Sequence, residues 1–482
     1  MVHATRTARP PNLILMVADD LGYGDLGSYG QTRIRTPHLD RVAAEGVRFT
    51  RHYSGNAVCA PSRCVLMTGR HPGHAQIRNN KELQPEGQWP LAAGTITLPK
   101  QLKKLGYATG AFGKWGLGGP GSDGDPLRQG FDRFFGFNCQ RHAHNHYPTY
   151  LWSDTNRVPL GNPAFSPHQR LPSDRSSDQP ASYTDYQGKE YAPDRIADAA
   201  LEFVRQHRDQ PFFLFLPTTL PHLALQVPDD SLRAYTNSFP ETPYLGTASY
   251  LPHRTPRAAY AAMISRMDRE VGRLLSLVKE LGLDTDTLFI FTSDNGPLYD
   301  RLGGTDTDFF QSAAGLRGRK GSLHEGGVRV PCLVRWPGHL RSGTTETRLT
   351  GFEDWLPTLL EIAGGRDLIP ADSDGISFAP TLLGRRQAPR PLLYREFSGY
   401  GGWQAAWIGD WKIVRHGLNP AGSAPSSTPA TVALYRLSED PGETRDLALR
   451  HPRRVSRFLR QLEQEHTDSA DFPMPGLDHA HP

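Results

Sequence analysis

Three short apolar runs constrain this chain more than any other feature: Asn12–Ala18 (NLILMVA), Pro211–Leu216 (PFFLFL) and Thr287–Phe291 (TLFIF). A strand with one wet face alternates apolar and polar residues. A strand that is apolar throughout must be covered on both faces. Amphipathic segments of helical period lie between the runs, notably Ala192–Gln206 and Pro256–Leu281. A shorter one spans Leu98–Leu105, and another opens at Thr36-Pro37 with Gly46 as its stop. Tyr107–Phe112 reads as one more strand. This alternation predicts an α/β sandwich around a large mixed, mostly parallel sheet.

At 482 residues the chain is too long for one core. Composition changes near Gly384–Pro389, which divides it into a large domain over 1–385 and a small α+β domain over 386–482. The latter is expected to hold short antiparallel strands within Gln404–Val414 and Val432–Leu437, and a terminal helix at His451–His466. Two polar stretches, about 153–191 and 229–257, interrupt the first domain. Strands resume after each, so they read as insertions over the sheet.

Lys and Arg number 54 against 50 Asp and Glu, with no long basic block, so no nucleic-acid partner is expected. A mildly basic surface suits small anions. No run is long enough to cross a membrane, and no membrane partner is expected. Met1–Pro11 lacks the apolar core of a secretory signal. The expected compartment is therefore the cytoplasm, or the periplasm or exterior if an export signal has been trimmed. The four cysteines, Cys59, Cys64, Cys139 and Cys332, match no zinc or redox spacing; Cys139 and Cys332 read as small buried side chains.

The chemistry concentrates in three places. In Cys59-Ala60-Pro61-Ser62-Arg63 the proline suits a helix start, which sets Cys59 beside free backbone N–H groups, with Arg63 one turn on. That describes an anion site with a nucleophile, and equally a buried cysteine at a helix start. Asp19-Asp20 and Asp294-Asn295 each follow an apolar strand, where ligands of open α/β sheets gather. Three carboxylates and an amide oxygen are hard donors suited to calcium or magnesium. Lys114 in Gly113-Lys114-Trp115-Gly116, His222 after PFFLFL, and Lys320 in Arg319-Lys320-Gly321 supply positive charge beside close-packed glycines.

The stretch Ala57–Gly69 (AVCAPSRCVLMTG) resembles the signature of the type I sulfatases, formylglycine-dependent and arylsulfatase-like, whose core is C-x-P-S-R. Gln404–Lys412 and Leu434–Glu443 echo the same family's C-terminal strand and turn, and the resemblance runs from Asn12 to about Glu465. It implies an alkaline-phosphatase-like fold and hydrolysis of aryl or carbohydrate sulfate esters. It implies that a formylglycine-generating enzyme oxidises Cys59 to the aldehyde formylglycine. One hydroxyl of its hydrate attacks sulfur, and the other then expels sulfate by C–O cleavage. It implies that Asp19, Asp20, Asp294 and Asn295, with the formylglycine oxygen at Cys59, hold calcium rather than magnesium. It implies that Lys114 and Lys320 grip the sulfate and that His222 serves the leaving group. Trp403 and Gln404 are expected to border the substrate.

This chain departs from the family at Gly116, where the usual residue is a histidine that handles the nucleophile's proton. Downstream, Arg141-His142-Ala143-His144-Asn145-His146 offers replacements; alternate histidines share a face if the segment is extended. His144 or His142 is expected to substitute. Two other functions remain open: a phosphate or phosphonate ester hydrolase on the same scaffold, and a catalytically silent protein that binds sulfated ligands.

Overall fold

A computed structural model describes residues 9–84, 86–299, 301–419 and 430–479. Most of the N-terminal segment on which the compartment was judged, 1–8, lies outside the described residues, as do 420–429 and 480–482 within the expected C-terminal domain.

A ten-stranded sheet organises the larger part of the chain. In chain order its strands are β1 (Asn12–Ala18), β2 (Val47–Phe49), β3 (Ala108–Lys114), β4 (Arg133–Phe137), β5 (Tyr150–Ser153), β6 (Asn156–Pro159), β7 (Phe212–Pro217), β8 (Thr287–Ser293), β9 (Cys332–Arg335) and β10 (Thr344–Glu346). Across the sheet they run β10-β2-β9-β8-β1-β7-β3-β4-β5-β6. The middle of the sheet, β8-β1-β7-β3-β4, is parallel. Antiparallel pairs flank it at β8–β9 and β9–β2 on one side and at β4–β5 and β5–β6 on the other.

The strand period of two explains the apolar runs. From β1, Ile14 and Met16 enter one core while Leu13, Leu15 and Val17 enter the other. The first core is closed by the helices α1 (Pro37–Glu45), α4 (Ala192–Gln206) and α5 (Pro256–Glu280). The second is closed by α2 (Cys59–Thr68), α3 (Leu98–Lys104) and α6 (Trp355–Ile362). Pro37 does open α1, but Gly46 at its end has φ −140° and ψ −144°, extended backbone rather than a left-handed stop.

A second sheet follows: β11 (Leu393–Phe397), β12 (Trp403–Ile408), β13 (Trp411–His416) and β14 (Thr431–Arg436), antiparallel and in that order. One face packs on Tyr53, Ala57 and Val58 beside α2. The other receives Phe458 and Leu462 of the terminal helix α7 (Pro452–Gln464). The stretch from 153 to 191 is only partly an overlay, since β6 pairs with β5 and extends the main sheet at its edge.

Candidate active site

The C-terminal ends of the parallel strands converge on Cys59. It is the first residue of α2 and is 1% exposed. Its Sγ lies 3.5 Å from Lys114 Nζ, 3.6 Å from Lys320 Nζ and 3.5 Å from Asp19 Oδ1. As a thiol, Cys59 is pushed up to about 12, by burial first, against the pull of the two lysines. An ordinary thiolate nucleophile is therefore disfavoured here.

Asp19 and Asp20 leave β1, with Asp20 in the left-handed region at φ 64°. Asp294 leaves β8, and its backbone N–H donates to Ala18 O at 3.0 Å. The Asp20 N–H donates to Asp294 Oδ1 at 3.2 Å, and Asn295 Nδ2 donates to Asp20 Oδ1 at 2.7 Å. All four side chains are fully buried, and Asn295 Oδ1 has no hydrogen-bond partner in the protein. Ligand atoms of Asp19, Asp20, Cys59 and His222 lie within 4.8 Å of one another. Asp294 is raised to about 6, by burial and then by the neighbouring Asp19 charge. Two buried carboxyls raised by burial and by the Asp19 charge, with an orphaned amide oxygen beside them, fit a hard divalent cation.

The basic groups are fixed with equal care. Arg63, one turn into α2, donates to Asp294 Oδ2 through Nε at 3.1 Å and through one terminal nitrogen at 2.8 Å. It also donates to the Lys114 carbonyl. Lys114 ends β3 and reaches Asp19 Oδ2 at 2.7 Å; Lys320 reaches Asp20 Oδ2 at 2.8 Å. The Lys320 loop is pinned on both sides: its N–H donates to Pro297 O at 2.9 Å, and Gly321 N–H to Ala57 O at 2.8 Å. Burial pushes the Asp19 carboxyl up, but the charges of Lys114, Arg63 and Lys320 outweigh it and hold it well below the usual range. Burial alone would lower Lys320, yet the Asp20 charge carries it well above the ordinary lysine value. Both lysines are thus fixed cations.

His222 follows β7. Its Nδ1–H donates to Leu223 O at 2.7 Å, so the bare Nε2 of the neutral ring points at Asp20 Oδ2, 3.4 Å away. Burial first, then Lys320, hold it well below its usual value, and the ring is neutral. An arriving sulfate group favours its protonation, because opposite charge stabilises the charged form.

The segment after β4 is not extended. His142–His144 is a 3-10 turn, which sends its two histidines in different directions. His142 faces Glu86 at 3.3 Å and packs on Tyr150. His144 stacks on His222 and contacts Tyr250. His146 braces the same loop, with Nε2 2.9 Å from His222 O and Nδ1 3.2 Å from Thr219 Oγ1. Gln404 does not border this site. Its amide donates to Tyr394 Oη at 2.8 Å and Leu462 O at 3.4 Å, on the α7 side of the second sheet. Trp403 stacks on His416 beside His324. Asn80 went unread in the sequence. Its Oδ1 accepts the Ala60 N–H at 3.1 Å, a helix-start contact made across 20 residues that no local motif marks.

The Sulfatase family model matches residues 11–365, and that of the N-sulphoglucosamine sulphohydrolase C-terminal region matches 319–468. The chain is 34% identical to human (Homo sapiens) arylsulfatase A over 467 residues, covering 91% of this chain and 84% of that protein. It is 32% identical to mouse (Mus musculus) steryl-sulfatase over 518 residues, covering 91% and 78%. The solved structure of Ps i-CgsB in complex with k-i-k-neocarrahexaose superposes with a TM-score of 0.74 at 25% identity, covering 98% of this chain and 95% of that one. The Sulfatase model spans the stretch of chain that carries the site, and the chain belongs to the sulfatase family, enzymes that hydrolyse sulfuric esters.

Proposed function

We propose that this enzyme hydrolyses carbohydrate sulfate esters with a formylglycine made from Cys59 and a calcium ion held by Asp19, Asp20, Asp294, Asn295 and the oxidised Cys59 side chain. The observation that carries this reading is Cys59 itself. It sits at the start of a buried helix, with two lysine ammonium groups within 3.6 Å of its sulfur. A formylglycine there would supply a hydrated aldehyde, one hydroxyl to attack sulfur and a second to drive release. Calcium would supply charge to acidify that hydroxyl and to neutralise the carboxylates around it.

The chain's own side chains do the rest. Lys114 and Lys320 bind the non-bridging sulfate oxygens as preorganised cations in a dry pocket. Arg63 holds Asp294 and the Lys114 backbone in place, so that the ligand carboxylate and the clamp share one support. His222, protonated once the anion has bound, gives its Nε2 proton to the departing oxygen. Since Cys59 is 1% exposed, its modifying enzyme, a formylglycine-generating enzyme, must act before α2 folds.

Carbohydrate is favoured over a simple aryl group by the approach to the site. A cavity of about 560 Å3 touches Asn80, Gln140 and His144 and lies beside one of about 470 Å3. The two share Glu82, Arg141 and His168. Polar and charged walls, with Tyr150 lining the second cavity, suit a hydroxylated chain of more than one sugar. The related structure noted above holds a neocarrahexaose.

Two measurements on protein from its native host test the proposal together: the mass of the Cys59 peptide, and sulfate release from sulfated sugars beside matched aryl sulfate and aryl phosphate. An aldehyde or its hydrate with sulfate release supports it. An unmodified thiol with no release makes the protein a binder, and faster aryl phosphate turnover makes it a phosphoesterase.

A further inference from the structure

Gly116 leaves a space that another side chain fills. Its φ is 79°, and a Cβ built on it would lie 3.0 Å from Gln140 Nε2 and 3.4 Å from Gln140 Cγ. The carboxamide of Gln140 therefore occupies the volume into which a side chain at 116 would project. The adjacency comes from the sheet. Lys114 pairs with Phe137, Trp115 N–H donates to Phe137 O at 2.8 Å, and Gly116 N–H donates to Asn138 O at 3.1 Å. The segment carrying Gln140 is thus tied to the segment whose lysine reaches Cys59.

That amide is unspent. Gln140 is 8% exposed, and its Nε2 has no hydrogen-bond partner in the protein. Two residues earlier Asn138, 1% exposed, has neither of its side-chain polar atoms bonded. A buried polar group without a partner costs about 1–3 kcal/mol, and native proteins rarely keep two side by side without a purpose. Gln140 also lines the cavity it shares with Asn80 and His144. Asn80 holds the Ala60 N–H next to the nucleophile position, and His144 lies on His222. The unpartnered donor therefore belongs to a residue on the wall of the cavity that also reaches Asn80 and His144.

We propose that the Gln140 carboxamide contacts the substrate directly, donating its Nε2–H to a sulfate oxygen from the space above Gly116; this rests on the sulfate-ester reading of the site. A carboxamide neither gains nor loses a proton near neutral pH. Position 116 and its substitute thus bring a fixed dipole to the sulfate where an imidazole would bring a titrating one.

The test compares Gln140→Leu and Gln140→Glu with the parent enzyme, reading kcat and KM on an aryl sulfate and the Kd for inorganic sulfate by calorimetry. Removing one preorganised donor should lower kcat about 10²-fold in Gln140→Leu, with a smaller change in KM, and should weaken sulfate binding about tenfold. Gln140→Glu should be poorer still at neutral pH and should regain activity as pH falls, because a protonated carboxyl can donate where a carboxylate repels. A merely structural glutamine gives no such recovery. If a folded Gln140→Leu enzyme keeps kcat and sulfate Kd within threefold of the parent, the proposal is overturned while the sulfatase reading stands. If the parent releases no sulfate but sulfate binding still fails in Gln140→Leu, the reading of the function fails and the contact stands.

Discussion

The imidazole of His144 lies almost flat on that of His222, with ring centroids 4.9 Å apart and planes 15° from parallel. The second edge of His144 is held by His168, Nδ1 to Nε2 at 3.2 Å. Burial first, then the neighbouring His222, hold His144 well below its usual value. Two stacked rings beside two lysines cannot both carry charge, so a proton given to one is withheld from the other.

That stack separates the two histidines between which the sequence could not choose. His144→Ala is expected to lower kcat on an aryl sulfate at least tenfold, about 1.4 kcal/mol of barrier. His142→Ala, whose ring faces Glu86 instead, should stay within threefold of the parent. Steady-state kinetics decide, and a His144→Ala enzyme as active as the parent removes this residue from the mechanism.

The two lysines should prove irreplaceable by arginine. Each presents a compact ammonium to Cys59 Sγ and to one aspartate in a buried space. Lys114→Ala and Lys320→Ala are each expected to lose about 10²–10³ in kcat. Lys→Arg at either site should recover little, since a planar fork does not fit a point-charge socket. Recovery to within threefold of the parent in both arginine variants would remove the geometric argument.

Metal binding can be read without turnover. Protein stripped of divalent ions should gain about 2.7 kcal/mol of stability when calcium is returned at a hundred times its Kd. Asn295→Leu, which deletes the orphaned amide oxygen, should abolish most of that gain. Thermal denaturation and metal analysis report both, and an equal gain with magnesium would argue against calcium.

A buried ion network joins the second sheet to the Lys320 loop. Lys412, fully buried, donates to Glu325 Oε1 and lies beside Glu443 Oε1, each at 3.0 Å. Glu325 also accepts from Trp407 Nε1 at 2.7 Å and Tyr53 Oη at 2.8 Å. Lys412→Met would take the shared ammonium from two buried carboxylates, leaving Glu325 with Arg329 and Glu443 with His324, and is expected to cost about 3–5 kcal/mol. Chemical denaturation measures it, and a loss below 1 kcal/mol would show that the network is not supporting the fold.

His466, just past α7, gives the fold a pH dependence. Burial pulls its pKa down, but its hydrogen bond to Glu396 Oε2 at 2.8 Å, the Glu396 charge and its hydrogen bond to Asp478 Oδ1 at 3.1 Å outweigh this and raise it above 6.5. The stabilisation is therefore complete below about pH 6.5 and is lost as pH rises through the raised value. A melting-temperature series should show that decline in the parent and not in His466→Gln. Parallel curves would assign the decline elsewhere.

What the sequence determined by itself was local. The apolar runs announced strands covered on both faces, and β1, β7 and β8 lie in the middle of the sheet. Pro61 announced a helix start, and Cys59 is its first residue. The paired acids after two strands, and the lysines among glycines, were legible for the same reason: each is a short pattern with one mechanical use. The strand β11 and the short antiparallel strands β2 and β9 were not legible, because three to five residues carry too little period to register. Only the tertiary structure decided which residues meet. Lys320 reaches Asp20 across 300 residues, Asn295 reaches the same aspartate across 275, and Gln140 moves into the room beside Gly116. Those meetings depend on which strands lie side by side and on where a 3-10 turn aims His144 rather than His142. Both are fixed by packing across the sheet, and no stretch of neighbouring residues encodes them.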